Sequence, residues 1–274
     1  MALKDITLGQ YFPGNSPLHR MDPRTKLMGL VLYIVALFLA KSVLTYGIMF
    51  AVLATLIAIS RVPLKSILQG MKPVVFILVF TAALNLLYTP GKTVLWSWWI
   101  LTVTLEGVRT AIFMVLRIVM LISATFLLTY TTSPILLTDG IERLLRPLKL
   151  IRVPVHELAM MMSIALRFIP TLIEETDKIM SAQRARGADF ESGSLIRRAK
   201  ALIPLLVPLF ISAFRRADEL AVAMECRCYH GGDGRTRMRQ LKLRALDWVT
   251  LVLALLLCVG IFVLGRLNLY PPYL

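Results

Sequence analysis

The chain has 274 residues, 57 % of them hydrophobic and only 17 % charged, with a mean hydropathy of +0.73 and a formal charge of +15 at pH 7. A soluble domain of this length carries more charge and shorter apolar runs, so the composition excludes that class and points to an all-α integral membrane protein. In such a protein the cationic excess belongs to cytoplasmic loops facing anionic lipid, and nucleic acid is not an expected partner.

Residues 1–26 form a polar, turn-rich lead without the continuous apolar core of a signal peptide. Asp22 and Pro23 suit a helix start, as N-cap and first helical residue. Arg20, Arg24 and Lys26 precede the first apolar segment, which places the N-terminus in the cytoplasm under the positive-inside trend.

Residues 27–131 read as four transmembrane helices. Leu27–Ala40 and Ser42–Ser60, taken as one helix, would extend about 50 Å, well beyond a hydrocarbon core of about 30 Å. They are therefore two spans joined by an outer turn near Lys41 to Thr45. The basic loop with Arg61, Lys65 and Lys72 leads to a third span, Pro73–Tyr88, in which Asn85 is the one strongly polar residue. Thr89–Thr104 is the outer connection, with Pro90 and Gly91 in its turn and Trp96, Trp98 and Trp99 in the interfacial aromatic belt. The fourth span, Leu105–Tyr130, carries Glu106 and Arg109 one turn apart and Arg117 at depth. An intramembrane arginine marks either a functional site or a structural pairing with another helix or subunit, and both readings stand at this point.

Residues 132–246 contain 19 Lys and Arg against 12 Asp and Glu, a net +7 that assigns them to the cytoplasm. Three helices are expected there: an amphipathic Asp139–Leu150, a long helix from Pro154 to Arg186 bent at Pro170, and a third that begins after Ser192 to Ser194 and ends near His230, with Pro204 and Pro208 in its first half. Glu174 with Lys178 and Arg215 with Glu219 fit solvated helix faces. Residues 247–267 are the last transmembrane helix, after a basic cluster from Arg235 to Arg244, and 268–274 are an outer tail. The count is about five spans plus a cytoplasmic set of long amphipathic helices.

No nucleotide-binding glycine loop, zinc-binding His-Glu-x-x-His or nucleophile-elbow pattern is present, and His19, His156 and His230 are scattered, so neither a catalytic nor a metal site is expected. Cys258 lies in an apolar run, and Cys226 and Cys228 are too closely spaced for a redox or zinc pair. The informative feature is a repeat: Asp177, Ala182 and Arg186 recur as Asp218, Ala223 and Arg227, each 41 residues on. Both stretches read as the last turns of helices that end on an arginine, a residue suited to carboxylates and to the free carbonyls of a partner helix.

Several blocks carry a family resemblance: Ser-Pro-Leu-His-Arg-Met-Asp-Pro-Arg-Thr-Lys (Ser16 to Lys26), Leu166-Arg167-Phe168-Ile169-Pro170, Ala182-Gln183-Arg184-Ala185-Arg186-Gly187, and Arg215-Arg216-Ala217-Asp218-Glu219-Leu220. With them the chain resembles the transmembrane T component of energy-coupling factor transporters, the cobalt-transport permease or CbiQ-like family. The resemblance implies a non-enzymatic scaffold of the bacterial cell (inner) membrane, which binds no cofactor itself. ATP and Mg would sit in two ABC-type ATPase subunits, identical or homologous. One small membrane S component would bind the vitamin or metal ion that is taken up, with anionic lipid around the assembly. Ala185, Arg186 and Gly187 would form the first ATPase-coupling motif and Cys226, Arg227 and Cys228 the second, where cysteines replace the family's Ala and Gly. The alternative is a self-contained permease, with Arg117 and Asn85 along its route, or a conventional ABC permease subunit that forms its own pathway. A membrane enzyme would need converging polar side chains, of which the spans offer few.

Overall fold

The computed structural model describes residues 11–89, 93–98, 101–188, 190, 194–231 and 241–266. Among them are nine α-helices, one 3-10 helix and a two-stranded hairpin, which divide into two compact units, 11–140 with 241–266 and 141–231.

The first unit is the apolar bundle. After a single turn, α1 (Pro17–Arg20), comes α2 (Pro23–Leu39), started as its sequence dictates: Pro23 occupies the first turn and the Asp22 carboxylate accepts from the Arg24 N–H at 2.9 Å. With 17 residues α2 is about 25 Å long. Ala40 and Lys41 turn the chain, and at the start of α3 (Val43–Ser60) the Thr45 hydroxyl accepts from the Ser42 N–H at 3.1 Å and donates to the Ser42 carbonyl at 2.7 Å.

The next helix, α4, covers Leu64–Tyr88 and starts nine residues before the expected Pro73, which lies inside it. Its early turns are not a free basic loop, because Ile67 is buried and Gly70 lies against α5. A Cβ on Gly70 would come within 2.9 Å of the Phe126 ring, so only glycine allows that approach. Lys65 and Lys72 stay exposed on the other face.

The outer connection holds β1 (Val94–Trp98) and β2 (Leu101–Thr104), antiparallel with Trp96 opposite Val103 and Trp98 opposite Leu101. Both runs are rich in β-branched and aromatic residues, which favour a pleated ribbon even between helices. Pro90, Gly91 and Trp99 lie outside the described residues. The Thr93 hydroxyl donates to Glu106 at 2.8 Å and that of Thr104 to the Thr89 carbonyl at 3.1 Å, fastening the connection to α5 (Leu105–Thr131). Tyr33, Ala36, Leu37, Tyr46, Met49, Met120 and Ile261 form the core of the unit.

A polar knot closes one end of the bundle. Lys26, only 8 % exposed, donates from Nζ to the Thr131 carbonyl at 2.9 Å and to the Thr132 hydroxyl at 3.0 Å, tying α2 to the end of α5. Asp247, 1 % exposed, accepts from the backbone N–H of Asp22 at 2.9 Å and of Arg244 at 2.8 Å, tying α9 (Ala245–Arg266) to the start of α2.

The amphipathic helix α6 spans Pro134–Leu145, beginning five residues before the expected Asp139, and crosses from the first unit into the second. It also stops short of Leu150, because Pro147 brings no N–H to the α-helical ladder and the chain tightens into a 3-10 helix, Arg146–Ile151. In the second unit α7 (Val155–Ala185) and α8 (Leu195–Glu225) each have 31 residues, with Pro170 inside one and Pro204 and Pro208 inside the other.

Five described helices are long and apolar enough to cross a membrane: α3, α4, α5, α7 and α9. The set differs from the expected one in including α7 and not α2, whose 17 residues make it the shortest of the long apolar helices.

Candidate functional site

Both arginine-bearing stretches end their helices, and they do so by the same motif. At the end of α7 the Gly187 N–H reaches the Arg184 carbonyl and the Ala188 N–H reaches back to the Gln183 carbonyl, both at 3.0 Å. At the end of α8 the Cys228 N–H reaches the Glu225 carbonyl at 2.8 Å and the Tyr229 N–H the Met224 carbonyl at 3.1 Å. These are the paired bonds of a Schellman cap, which satisfies carbonyls left open at a helix end. All four positions of one cap correspond to those of the other at the 41-residue spacing, although the residues differ.

The cap needs a left-handed residue just past the helix. Gly187 supplies it at φ +86° without a steric penalty, whereas Cys228 takes the same role at φ +55°. The second helix therefore ends at Glu225, earlier than the expected His230, and loss of the glycine does not abolish the ending. The Cys228 carbonyl is held by His230, whose Nδ1 lies 2.9 Å away.

Ala185, Arg186 and Gly187 are all exposed, as are Cys226, Arg227 and Cys228. Each arginine occupies the cap position between helix and left-handed residue, where the negative end of the helix dipole favours a cation. Neither guanidinium has a partner among the described residues.

Helices α7 and α8 run antiparallel: Glu175 pairs with Arg216 at 3.1 Å, and Gln183 donates to the Pro204 carbonyl at 3.4 Å. The second contact has a cause in the sequence. Pro208 lacks the N–H that would bond Pro204 within the helix, and the Gln183 amide answers the open carbonyl. The charged residues that pair across the helices are thus Glu175 and Arg216, neighbours of those expected to form local pairs. Their spacing is also 41 residues.

Arg117 and Asn85 belong to the other unit and do not share a site. The Arg117 Nε donates to the Tyr46 hydroxyl at 2.8 Å, and its guanidinium lies 5.6 Å from the Phe38 ring centre and 5.8 Å from that of Tyr46. The charge on α5 thus rests on aromatic faces of α2 and α3. Asn85 donates to the Thr81 carbonyl of its own helix at 2.9 Å, and its backbone faces Gly107, about 15 Å along α5 from Arg117.

Among the described residues no three His, Cys, Asp or Glu side chains are placed to hold a metal ion. In the lead segment, burial holds the His19 imidazole below its ordinary pKa, opposed by its bond to the Phe12 carbonyl at 3.0 Å.

The family model for the cobalt transport protein CbiQ matches residues 14–238, which include the lead motif and both helix tips. The chain belongs to the CbiQ/EcfT family. This is the family of transmembrane T components of energy-coupling factor transporters. The EcfT of Clostridium kluyveri, an energy-coupling factor transporter transmembrane protein, is 57 % identical over 263 residues, 94 % of this chain and 97 % of that protein. The EcfT of Acidaminococcus fermentans is 55 % identical over 248 residues, 90 % and 92 % of the two chains. That of Bacillus subtilis is 48 % identical over 262 residues, 96 % and 99 %. As a CbiQ/EcfT protein with several long apolar helices, the chain is a multi-pass protein of the bacterial cell membrane.

Proposed function

We propose that this T component couples ATP binding and hydrolysis in two ABC-type ATPase subunits to movement of a small substrate-binding S component, for uptake of a vitamin or metal ion. Arg186, with Ala185 and Gly187, docks one ATPase; Arg227, with Cys226 and Cys228, docks the other. The observation that carries this reading is the pair of exposed arginines on caps of the same hydrogen-bond pattern, 41 residues apart. Two copies of one kind of partner need two like surfaces.

The mechanism is mechanical. Each arginine lies 11 residues beyond the Glu175–Arg216 pair, about 16 Å along its helix. Because the helices are antiparallel, the two tips leave that pair in opposite directions and reach separate subunits. ATP binding draws the ATPases together, the tips move with them, and the crossing helices shift the surface on which the S component rests. Exposed Phe210, Ile211 and Phe214 of α8 give that surface its apolar character. ATP and Mg stay with the ATPases, and this chain carries out no chemical step. The region 132–246 and the N-terminus are cytoplasmic in this reading, from the distribution of Lys and Arg.

The test is Arg186→Ala and Arg227→Ala in the whole transporter, with assembly and uptake per ATP hydrolysed as readouts. Each substitution is expected to weaken ATPase retention or to leave hydrolysis running without uptake. Wild-type assembly and wild-type coupled uptake in both variants would contradict the assignment.

A further inference from the structure

The 3-10 helix between α6 and α7, Arg146–Ile151, sorts its side chains by character. Such a helix has three residues per turn, so residues three apart eclipse at intervals of about 6 Å. Arg146 and Lys149 share one edge, Pro147 and Leu150 the second, and Leu148 and Ile151 the third. Arg143 comes one step before the basic edge and Arg152 one step after it, and residues 143–156 contain no Asp or Glu. The last carboxylate before them, that of Glu142, lies 3.0 Å from the His156 Nδ1.

The whole segment faces outward. Every residue from Leu145 to Arg152 is exposed, Leu150 by 90 % and Ile151 by 77 %. An open hollow of about 490 Å3 is lined by Arg143, Arg146, Pro147, Lys149 and Leu150, so cations and apolar side chains border the same space. Arg152 holds φ +63°, a conformation that glycine takes freely and that costs a residue bearing a Cβ. A cation thus stands where glycine would be the less strained residue.

We propose that this segment docks on the headgroups of anionic phospholipid at the membrane surface, with the basic edge on phosphate oxygens and the two apolar edges among the glycerol esters and upper acyl chains. The sorting of the edges identifies the anion. A soluble polyanion would satisfy the cations and leave Leu150 and Ile151 in water, whereas a phospholipid surface meets both kinds of edge. Guanidinium groups bond phosphate oxygens in a fork while their stems lie along apolar surface. The chain has the reach: α6 has 12 residues, about 18 Å, and starts at Pro134, just past the Thr131 end of α5, a helix long and apolar enough to cross a membrane. The cationic excess of the whole chain favours anionic lipid without choosing a place, and these edges choose one. The segment is separate from the helix tips, and the inference does not rest on the coupling role.

The probe is an apolar photoreactive amino acid at position 150 of the complete transporter, reconstituted into nanodiscs of phosphatidylglycerol and phosphatidylcholine in equal amounts. Lipid adducts are expected, with phosphatidylglycerol in excess over phosphatidylcholine. Arg146→Gln is expected to lower the ratio of the two adducts about fivefold, equivalent to ~1 kcal/mol for one cation at an anionic surface. Arg152→Gly removes another cation while relieving the positive φ. It is expected to lower the ratio by a similar factor with thermal stability no lower than wild type, a combination that lost packing would not produce, and it carries the test if Arg146→Gln fails to assemble. Capture of a protein chain and no lipid from position 150 would overturn the proposal. So would equal amounts of the two lipids in wild type, or a ratio unchanged in either variant.

Discussion

Arg216 donates to Glu175 at 3.1 Å across the α7–α8 crossing, and the two residues are separated by the same 41 positions that separate Arg186 from Arg227. The ion pair is therefore equidistant in sequence from the two tips, as a pivot between two levers would be. Both partners are partly exposed, so the pair contributes only about 0.2 to 1 kcal/mol to stability. Arg216→Ala and Glu175→Ala are expected to leave assembly intact while lowering uptake per ATP hydrolysed. The charge-swapped double variant Glu175→Arg with Arg216→Glu is expected to recover part of that loss. Unchanged coupling in both single variants would remove the pivot from the mechanism.

The two caps differ in strain. Cys228 sits at a positive φ that costs a side-chain-bearing residue about 1 to 2 kcal/mol, whereas Gly187 bears no such cost. Cys228→Gly is expected to tighten the second tip by about 1 kcal/mol, and Gly187→Ala to loosen the first by a similar amount. Hydrogen exchange at the Cys228 and Tyr229 amides should slow in the first variant. Exchange at Gly187 or its replacement and at Ala188 should quicken in the second.

The polar knot at the end of the bundle sets a larger stake. Lys26→Met removes both bonds to the end of α5 and leaves the buried Thr131 carbonyl without its donor, a loss of about 1 to 3 kcal/mol. Asp247→Ala leaves the Asp22 and Arg244 N–H groups open and removes the start of α9 as a fixed point, a loss of about 2 kcal/mol or more. Thermal unfolding of the detergent-solubilised transporter should show both, with Asp247→Ala the more severe.

The lead segment is expected to loosen in acid. His19 has a folded pKa lowered by burial from the ordinary 6.5, so above pH 6.5 both folded and unfolded forms are neutral and the group contributes nothing. As pH falls below 6.5 the unfolded segment takes up the proton first, and the penalty grows until the folded pKa is passed. Limited proteolysis around Phe12 to Met21 should accelerate between pH 7.5 and pH 5, values chosen on either side of the ordinary histidine pKa. His19→Gln should flatten that dependence.

Local chemistry made much of this fold legible. Asp22 with Pro23 marks the start of α2, Pro154 the start of α7 and Gly187 its end, because each signal acts within one turn of the backbone. The repeat ending at Arg186 and Arg227 was likewise visible, and the caps preserve it. Proline misled where it lies inside a helix: Pro73 reads as a boundary, yet packing of Ile67 and Gly70 carries α4 through it. The end of α8 was hidden because no local rule puts a cysteine in the left-handed position. The role of Lys26 was hidden for a different reason. A cation before an apolar run reads as an interfacial charge, and only the fold brings Thr131 and Thr132 to it.

The central claim is that the two arginine tips each meet an ATPase, and photocrosslinking from the residues just before them tests it most directly. A photoreactive amino acid at Ala185, and separately at Cys226, would be irradiated in native membranes and the captured chains identified by mass. The account predicts capture of an ATP-binding subunit from each position, with two such subunits and one small membrane protein per copy of this chain in the intact assembly. Capture of lipid alone, or of a second copy of this chain, from both positions would contradict it.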